Sequence, residues 1–456
     1  MRAWKRLSGR LALGILVTGA ACGGSFSGSG SGGAQGPGPW PVANVQYGSA
    51  NGIAETPIVG MTTDGAQNRW IATHAALYLL RPGDKTFRRY DARDGLHLTG
   101  NPVTYCDTWA PHPSCLSGAA VSPGITEITG GAAGEVFVGY AGHDDGSEDY
   151  TDPNRHTGKL DRVRVDASGT LSVQRLDLVN SETAQFWHNR TVQRLLYDRA
   201  RKELYVGSNH GIDRLQPDRY RDPKPGEWFL DVTHEWLSDH LHPRVCFHAA
   251  CTGNESKDTQ MMGDWRGLTL APDGDLWVAG KWTAGKIRWT SDLSAWHTRP
   301  GAQAYAYNFG DPYDPATGAN PPVFKPPREG DPVSIGAVAV TKDGTVWFAS
   351  DPLSSRDPNY GLASFDGKSF NYFPLRAAGV SRARDLIALP DGRLAIASSA
   401  GLSLWDPSSG KTTLVSGTAA LPSDDVLRLE LDGSVEPPSL HVSTTAGAAV
   451  LRVLPP

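Results

Sequence analysis

No stretch of this 456-residue chain is long and apolar enough for a permanent membrane helix; the one hydrophobic run near the start, Leu11 to Thr18, is too short. Basic charge is not in excess either. The 43 Lys+Arg face 48 Asp+Glu, the net charge is near -5 and no basic stripe stands out, which removes nucleic acid as the default partner. Charged residues are 20 % and hydrophobic residues 39 %, which excludes a disordered chain. Methionine is scarce, with only Met61, Met261 and Met262 after the initiator, and helical periodicity is nearly absent. Also missing are a G-x-S-x-G elbow, a P-loop, a Rossmann fingerprint and a paired catalytic carboxylate signature. No catalytic residue is therefore assigned. What is abundant is glycine (52), proline (33) and tryptophan (14), the composition of a turn-rich, strand-rich protein packed on aromatics.

The first residues read as an address. Arg2, Lys5, Arg6 and Arg10 form a positive region, a short apolar run follows, and Gly19-Ala20-Ala21 precede Cys22. The small residues ending in Cys22 resemble a bacterial lipoprotein lipobox, with Gly19 standing where that family usually has an aliphatic residue. The resemblance implies cleavage after residue 21, lipid (palmitate included) on Cys22 and a place in the cell envelope. An ordinary signal cut nearby would leave Cys22 a spare thiol. Residues 23 to 39 are a Gly/Ser-rich tether whose typical reach is roughly 20–25 Å. The organisation is thus 1-21 signal, 22-39 lipidated cysteine and tether, and 40-456 a single folded domain. Gly23 after the cysteine, rather than Asp, favours the outer membrane over the inner by the common sorting rule.

Apart from Cys22 the cysteines fall in two local pairs, Cys106 with Cys115 and Cys246 with Cys251. In an exported chain two short-range disulfides are the natural reading, each worth about 2–3 kcal/mol; cross-pairing is the other arrangement. The spacings fit neither a zinc ribbon nor a CxxC redox site. A Cys–His metal site using His240, His242 or His248 is the remaining alternative.

One pattern recurs along the mature chain: a turn, an aromatic or apolar residue, an aliphatic, a small residue, then Ser, Thr or Gly. It appears at Trp70-Ile71-Ala72-Thr73, Phe137-Val138-Gly139-Tyr140, Tyr205-Val206-Gly207-Ser208, Trp277-Val278-Ala279-Gly280 and Trp347-Phe348-Ala349-Ser350. Weaker copies lie at Ala395-Ile396-Ala397-Ser398 and His441-Val442-Ser443-Thr444. An apolar strand and a tight turn such as Asp273-Gly274, Asp343-Gly344 or Asp391-Gly392 precede each copy, and two more short strands follow. Four antiparallel strands repeated seven times predict an all-β fold, a seven-bladed β-propeller. The phrases DGTVWFAS…YGLASFDGKSFNYF and NRWIATHAALYLLRPGDKTFRRY resemble two-component-regulator propeller repeats, which implies the same fold and says little of function. The last blade is one strand short, and Val42–Tyr47 is expected to supply its outer strand and so close the ring.

With strands lettered A to D from the axis outward, B–C and D–A connections leave on one face. The long stretches 91–118, 141–158, 177–190, 217–264, 300–332 and 351–360 are expected to gather there, with both cysteine pairs. Arg190, Arg266, Arg384 and Asp425 are expected near the channel mouth, where the arginines would bind a carboxylate or phosphate, or pair with acidic residues. Trp109, Trp187, Trp236, Tyr305 and Tyr307 are candidate stacking surfaces for sugars or peptides, whereas Trp70, Trp277 and Trp347 are blade packing. Asp144, Asp145, Glu148, Asp149 and Asp152 offer oxygen ligands for Ca²⁺ without the EF-hand spacing, and a solvated acidic loop is the plainer reading. His234, His240, His242 and His248 lack the HExxH spacing of a zinc enzyme.

These residues fit a monomeric, lipid-anchored binding or scaffold module for an envelope protein or polysaccharide. Two alternatives remain open. One is a propeller enzyme, of lyase or lactone-hydrolase type with a metal at the channel mouth, where arginines count against it. The other is a sensory domain for a separate signalling partner.

Overall fold

Each copy of the recurring pattern is the second strand of a four-stranded antiparallel sheet, and seven such sheets stand side by side as blades. The computed structural model describes residues 43–98, 124–141, 160–176, 191–208, 211–221, 235–241, 244–246, 259–261, 263–281, 283–289, 291, 305–307, 335–350, 361–368 and 370–452. Strand β1 is Ala43–Tyr47. Blade 1 is β2 (Ile58–Thr63), β3 (Arg69–Thr73), β4 (Leu77–Leu80) and β5 (Arg88–Tyr90). Blade 2 is β6 (Ile125–Gly130), β7 (Glu135–Tyr140), β8 (Leu160–Val165) and β9 (Leu171–Arg175). Blade 3 is β10 (Val192–Asp198), β11 (Glu203–Ser208), β12 (Ile212–Arg221) and β13 (Glu235–Leu241). A separate two-stranded ribbon follows, β14 (Arg244–Cys246) with β15 (Thr259–Met261). Blade 4 is β16 (Gly263–Leu270), β17 (Leu276–Lys281), β18 (Thr283–Ile287) and β19 (Tyr305–Tyr307). Blade 5 is β20 (Ile335–Val340), β21 (Val346–Ser350), β22 (Gly361–Phe365) and β23 (Phe370–Pro374). Blade 6 is β24 (Asp385–Ala388), β25 (Leu394–Ser398), β26 (Gly401–Trp405) and β27 (Thr412–Val415). Blade 7 is β28 (Val426–Asp432), β29 (Ser439–Thr444) and β30 (Ala448–Arg452), with β1 as its fourth strand.

The A–B hairpins follow from the Asp-Gly pairs. Gly274, Gly344 and Gly392 sit at φ of 88°, 85° and 88°, a region that costs other residues. The preceding Asp273, Asp343 and Asp391 each accept, on Oδ1, the backbone N–H two residues on, which pins the turn. The small residue of the pattern has a packing cause. A Cβ on Gly139 would meet Val192 of the next blade at 2.3 Å, and one on Gly207 would meet the Trp265 carbonyl at 2.4 Å. The next inner strand leans on this position, so it is Gly, Ala or Ser throughout.

Buried apolar residues form seven clusters, and each is the seam between two neighbouring blades. Trp70, Trp277 and Trp347 are all within seams, as expected from their place in the pattern. Trp405 meets Trp347 and Phe373 edge-on at 5.4 and 5.2 Å between blades 5 and 6, and Trp347 lies tilted on Phe373 at 5.4 Å. Among the described residues no apolar cluster spans the axis, where charged and apolar groups line a channel instead.

Closure occurs as the strand count requires. Residues of β1 pair with β30, Val45 with Val450 and Tyr47 with Ala448, and the buried Tyr47 ring meets Phe87 of blade 1 edge-on at 5.2 Å. The expectation that long connections gather on one face needs correction. Strand β12 runs on past Pro217, and blade 3 finds its outer strand only at β13; blade 4 likewise closes at β19. The C strands β12 and β18 therefore end, and the D strands β13 and β19 begin, at the opposite face. Trp236, Tyr305 and Tyr307 stand in outer strands and not in inter-blade links.

Candidate functional site

The inner strands share an irregularity that sets the chemistry of the axis. In six of them the pairing register shifts after the first residue, at Ile58/Gly60, Ile125/Glu127, Val192/Arg194, Gly263/Gly267, Ile335/Ala337 and Val426/Arg428. The residues just past the shift occupy one level of the ring. Counted by their partners on the second strands, they are Gly60, Glu127, Arg194, Gly267, Ala337, Asp385 and Arg428. Three are small, and four are charged with alternating sign.

Two pairs of the charged residues meet across the axis. Arg194 of blade 3 passes Gly267 and Ala337 and places Nη1 3.0 Å from Asp385 Oδ2 on blade 6. Arg428 of blade 7 passes Gly60 and brings Nε to 3.2 Å from Glu127 Oε2 on blade 2, while its Nη2 donates to the Gln193 carbonyl at 3.2 Å. Asp385 also accepts the backbone N–H of Leu429 at 3.0 Å and of Leu386 at 2.9 Å. The side chains are largely buried, Asp385 at 3 % and Glu127 at 7 % exposure. Burial pushes the Glu127 carboxyl above its ordinary pKa, only partly opposed by Arg428 and Arg194. Burial also works against the charge of Arg194, but Asp385, Glu127 and Glu430 outweigh it and hold the pKa up.

Two residues further along β28, Glu430 faces the same channel. Its Oε1 accepts the Thr62 hydroxyl at 2.5 Å, and Thr62 in turn accepts Gly130 N–H at 2.9 Å. Burial in the protein mass pushes its carboxyl up to about 8, with Glu127 adding to the effect and Thr62, Arg194 and Arg199 opposing it. Beyond it Thr63 donates to Asp432 at 2.8 Å, and Arg199 donates to the Thr63 carbonyl. A void of about 330 Å³ runs through these levels and touches all seven inner strands. Its wall is divided: blades 4 to 6 offer Leu268, Val338, Ile387 and their neighbours, blades 7, 2 and 3 offer the charged groups, and blade 1 offers Gly60, Met61 and Thr63.

On the face where the inter-blade connections begin, a polar clamp joins blades 1 and 2. Buried Asp161 binds His97 Nδ1, accepts Tyr140 OH at 2.7 Å and accepts the His97 backbone N–H at 3.3 Å. Burial and the Asp161 charge raise the Tyr140 phenol well above its ordinary value.

Of the residues singled out from sequence, Arg384 and Asp425 do come together: Arg384 Nη1 binds the Asp425 carboxylate and donates to the Val426 carbonyl at 3.2 Å. Arg266 is buried within β16, 4 % exposed. Trp236 pairs with Tyr220, and His240 pairs with Asp213 across the blade 3 ladder. Cys246 lies in β14 opposite Thr259. Arg190, Trp109, Trp187, Cys22, Cys106, Cys115, Cys251, the acidic 144–152 stretch, His234, His242 and His248 lie outside the described residues. Among the described residues no three His, Cys, Asp or Glu side chains converge to hold a metal ion. The channel charges Glu127, Arg194, Asp385, Arg428 and Glu430 were not anticipated. Their signal was charge within inner strands, Glu127 in β6, Arg194 in β10, Asp385 in β24 and Arg428 with Glu430 in β28, and it emerges only once the strands are aligned on their turns.

No protein-family model matches the chain, and no curated protein matches it. Solved structures do. A chain of a mitotic checkpoint complex is 12 % identical, with 95 % of this chain and 100 % of that one covered and a TM-score of 0.49. Sqt1 of Saccharomyces cerevisiae is 12 % identical, with 91 % and 99 % covered and a TM-score of 0.49. A structure of YCF48 bound to D1 peptide is 11 % identical, with 92 % and 97 % covered and a TM-score of 0.46.

Proposed function

We propose that this chain is a lipid-anchored envelope protein whose propeller is a binding module, working through the face of blades 1 to 3 on which the inter-blade and B–C connections emerge. The observation that carries this reading is the distribution of chain. Tyr90 to Ile125, Tyr140 to Leu160 and Arg175 to Val192 are three long connections rooted side by side around blade 2, on a scaffold whose other B–C turns are as short as Ser398 to Gly401. A rigid ring that roots three long connections side by side is built to present them together. The His97–Asp161–Tyr140 clamp fixes the roots of two of those connections. The lipid anchor rests on the Cys22 resemblance, and the partner class, an envelope protein or a polysaccharide, on that location.

Crosslinking in native envelopes, followed by recovery of the tagged protein and mass spectrometry, tests the reading. A reproducible partner is expected, lost when 99–123 or 142–159 is replaced by a short turn and retained when 351–360 is. Equal recovery with all three variants would refute the assigned face. Cys22→Ala is expected to move the protein from the membrane to the soluble fraction.

A further inference from the structure

We propose that the axial channel is a binding site for a small organic cation, an ammonium on an apolar body of a few carbons, with Glu430 as its counter-ion. The inference is independent of the loop-bearing face. It begins with the pairing of charges. Arg194 is matched to Asp385 and Arg428 to Glu127, whereas Glu430 has the Thr62 hydroxyl as its partner and, among the described residues, no ion pair with any Lys or Arg. Glu127 Oε2, buried in the same wall, lies beside Arg428 yet accepts no hydrogen bond. Spare acceptor capacity is thus on the carboxylate side, the side that attracts a cation.

The cavity sets the size and shape of the guest. At about 330 Å³ it lies at the small end of ligand pockets. Opposite the carboxylates stands the apolar wall of Leu268, Val338, Ala339 and Ile387. A hydrated metal ion would waste that wall, and a fully apolar guest would leave Glu430 uncompensated. An ammonium with a short apolar body satisfies both halves. The charged and titratable groups around Glu430 are Glu127 on β6, Arg194 and Arg199 on β10, Asp385 on β24, Arg428 and Asp432 on β28 and its register partner His441 on β29; β2, β16 and β20 bring only Thr and apolar groups.

A carboxyl titrating at about 8 is mostly protonated at pH 7, so an entering cation must displace its proton. Calorimetric titration of the full chain with ethyl- to hexylammonium chloride, and with the matching sodium alkanoates, reads this directly. An alkylammonium stays charged at pH 9 as a lysine does. Affinity is expected to rise about tenfold from pH 7 to pH 9, and to rise with chain length until the channel is filled. At pH 7 about 0.9 proton is expected to leave per ammonium bound, measured in two buffers of different ionisation heat. Glu430→Gln is expected to abolish the proton release and the pH dependence, and Thr269→Leu, which narrows the apolar side, to weaken the longer chains. Absence of binding to millimolar ammonium, binding without proton release, or alkanoates binding as well as ammoniums would overturn the proposal. The proton count uses the unaltered protein, so the decision stands even where a variant fails to fold.

Discussion

Arg194 and Asp385 are 191 residues apart in sequence and on blades 3 and 6, yet their side chains meet across the axis at 3.0 Å. The intervening blades present Gly267 and Ala337 at the same level. Removing either partner leaves a buried charge alone. Arg194→Met is expected to cost about 3–5 kcal/mol in urea unfolding. Asp385→Asn, which keeps a carbonyl for the Leu429 N–H, is expected to cost less. The double variant Arg194→Met/Asp385→Asn is expected to be less destabilised than the sum of the two, and strict additivity would mean that the ion pair carries no coupling.

Glu430 gives the native state a pH dependence of definite sign. Its carboxyl is raised from 4.5 to about 8 on folding, so the native state keeps a proton that the unfolded chain has released. Stability from this group is full at low pH and falls as pH rises between those values, with a slope of up to about 1.4 kcal/mol per pH unit. Burial lowers the pKa of His441, which has the opposite consequence: its contribution is lost as pH falls below its ordinary 6.5. Above that point Glu430 acts without this opposition. Thermal melts from pH 6.5 to 8 are expected to show declining stability in the wild type and a much flatter profile in Glu430→Gln. Parallel profiles would disprove the assignment.

Two glycines separate backbone crowding from backbone conformation. A Cβ on Gly130 would stand 1.8 Å from the Thr63 carbonyl oxygen, so strands of blades 1 and 2 would have to part. Gly130→Ala is expected to cost about 3 kcal/mol or more. Gly344 has φ of 85° and open space around it, so Gly344→Ala pays only the left-handed backbone cost of roughly 1–2 kcal/mol. Chemical denaturation of both variants checks the ranking.

Deletion of residues 40–48 removes β1, strips the partner from β30 and uncovers Phe87. The shortened protein is expected to melt well below the parent and to associate through the exposed edge of β30. A monomeric product with unchanged melting temperature would contradict the closure.

The fold was legible because its signals are local and repeated. Trp347 to Ser350 with Asp343-Gly344 before it specifies a hairpin by itself, and seven such units specify a ring. The closing strand was legible by counting, since blade 7 lacked a fourth member. Blades 3 and 4 were misread at their outer strands because outer strands are half exposed and carry little pattern. EWLSDHL holds four polar residues to three apolar ones, and β19 is only Tyr305–Tyr307. The channel network was illegible for another reason. Glu127, Arg194, Asp385 and Arg428 each appear once, in four blades, and their meeting depends on a register shift that no single segment reveals. Arg384 and Asp425 were recoverable because both flank inner strands at matching offsets from their turns.

The pairing of β1 with β30 also dictates a calendar. Tyr47 is among the first residues of the ring to be made, and Ala448, its partner, follows about 400 residues later. Until then the first strand must wait, and blade 1 must stand with one seam open. The entropy of closing so long a loop grows only with the logarithm of its length, so the delay costs little at equilibrium. Its weight falls on kinetics, because contacts distant in sequence form slowly. The blades from 1 to 6 can stack in the order of their synthesis. The final step then joins the oldest strand to the youngest, and any helper that shields a nascent edge has its work at the seam between blades 7 and 1.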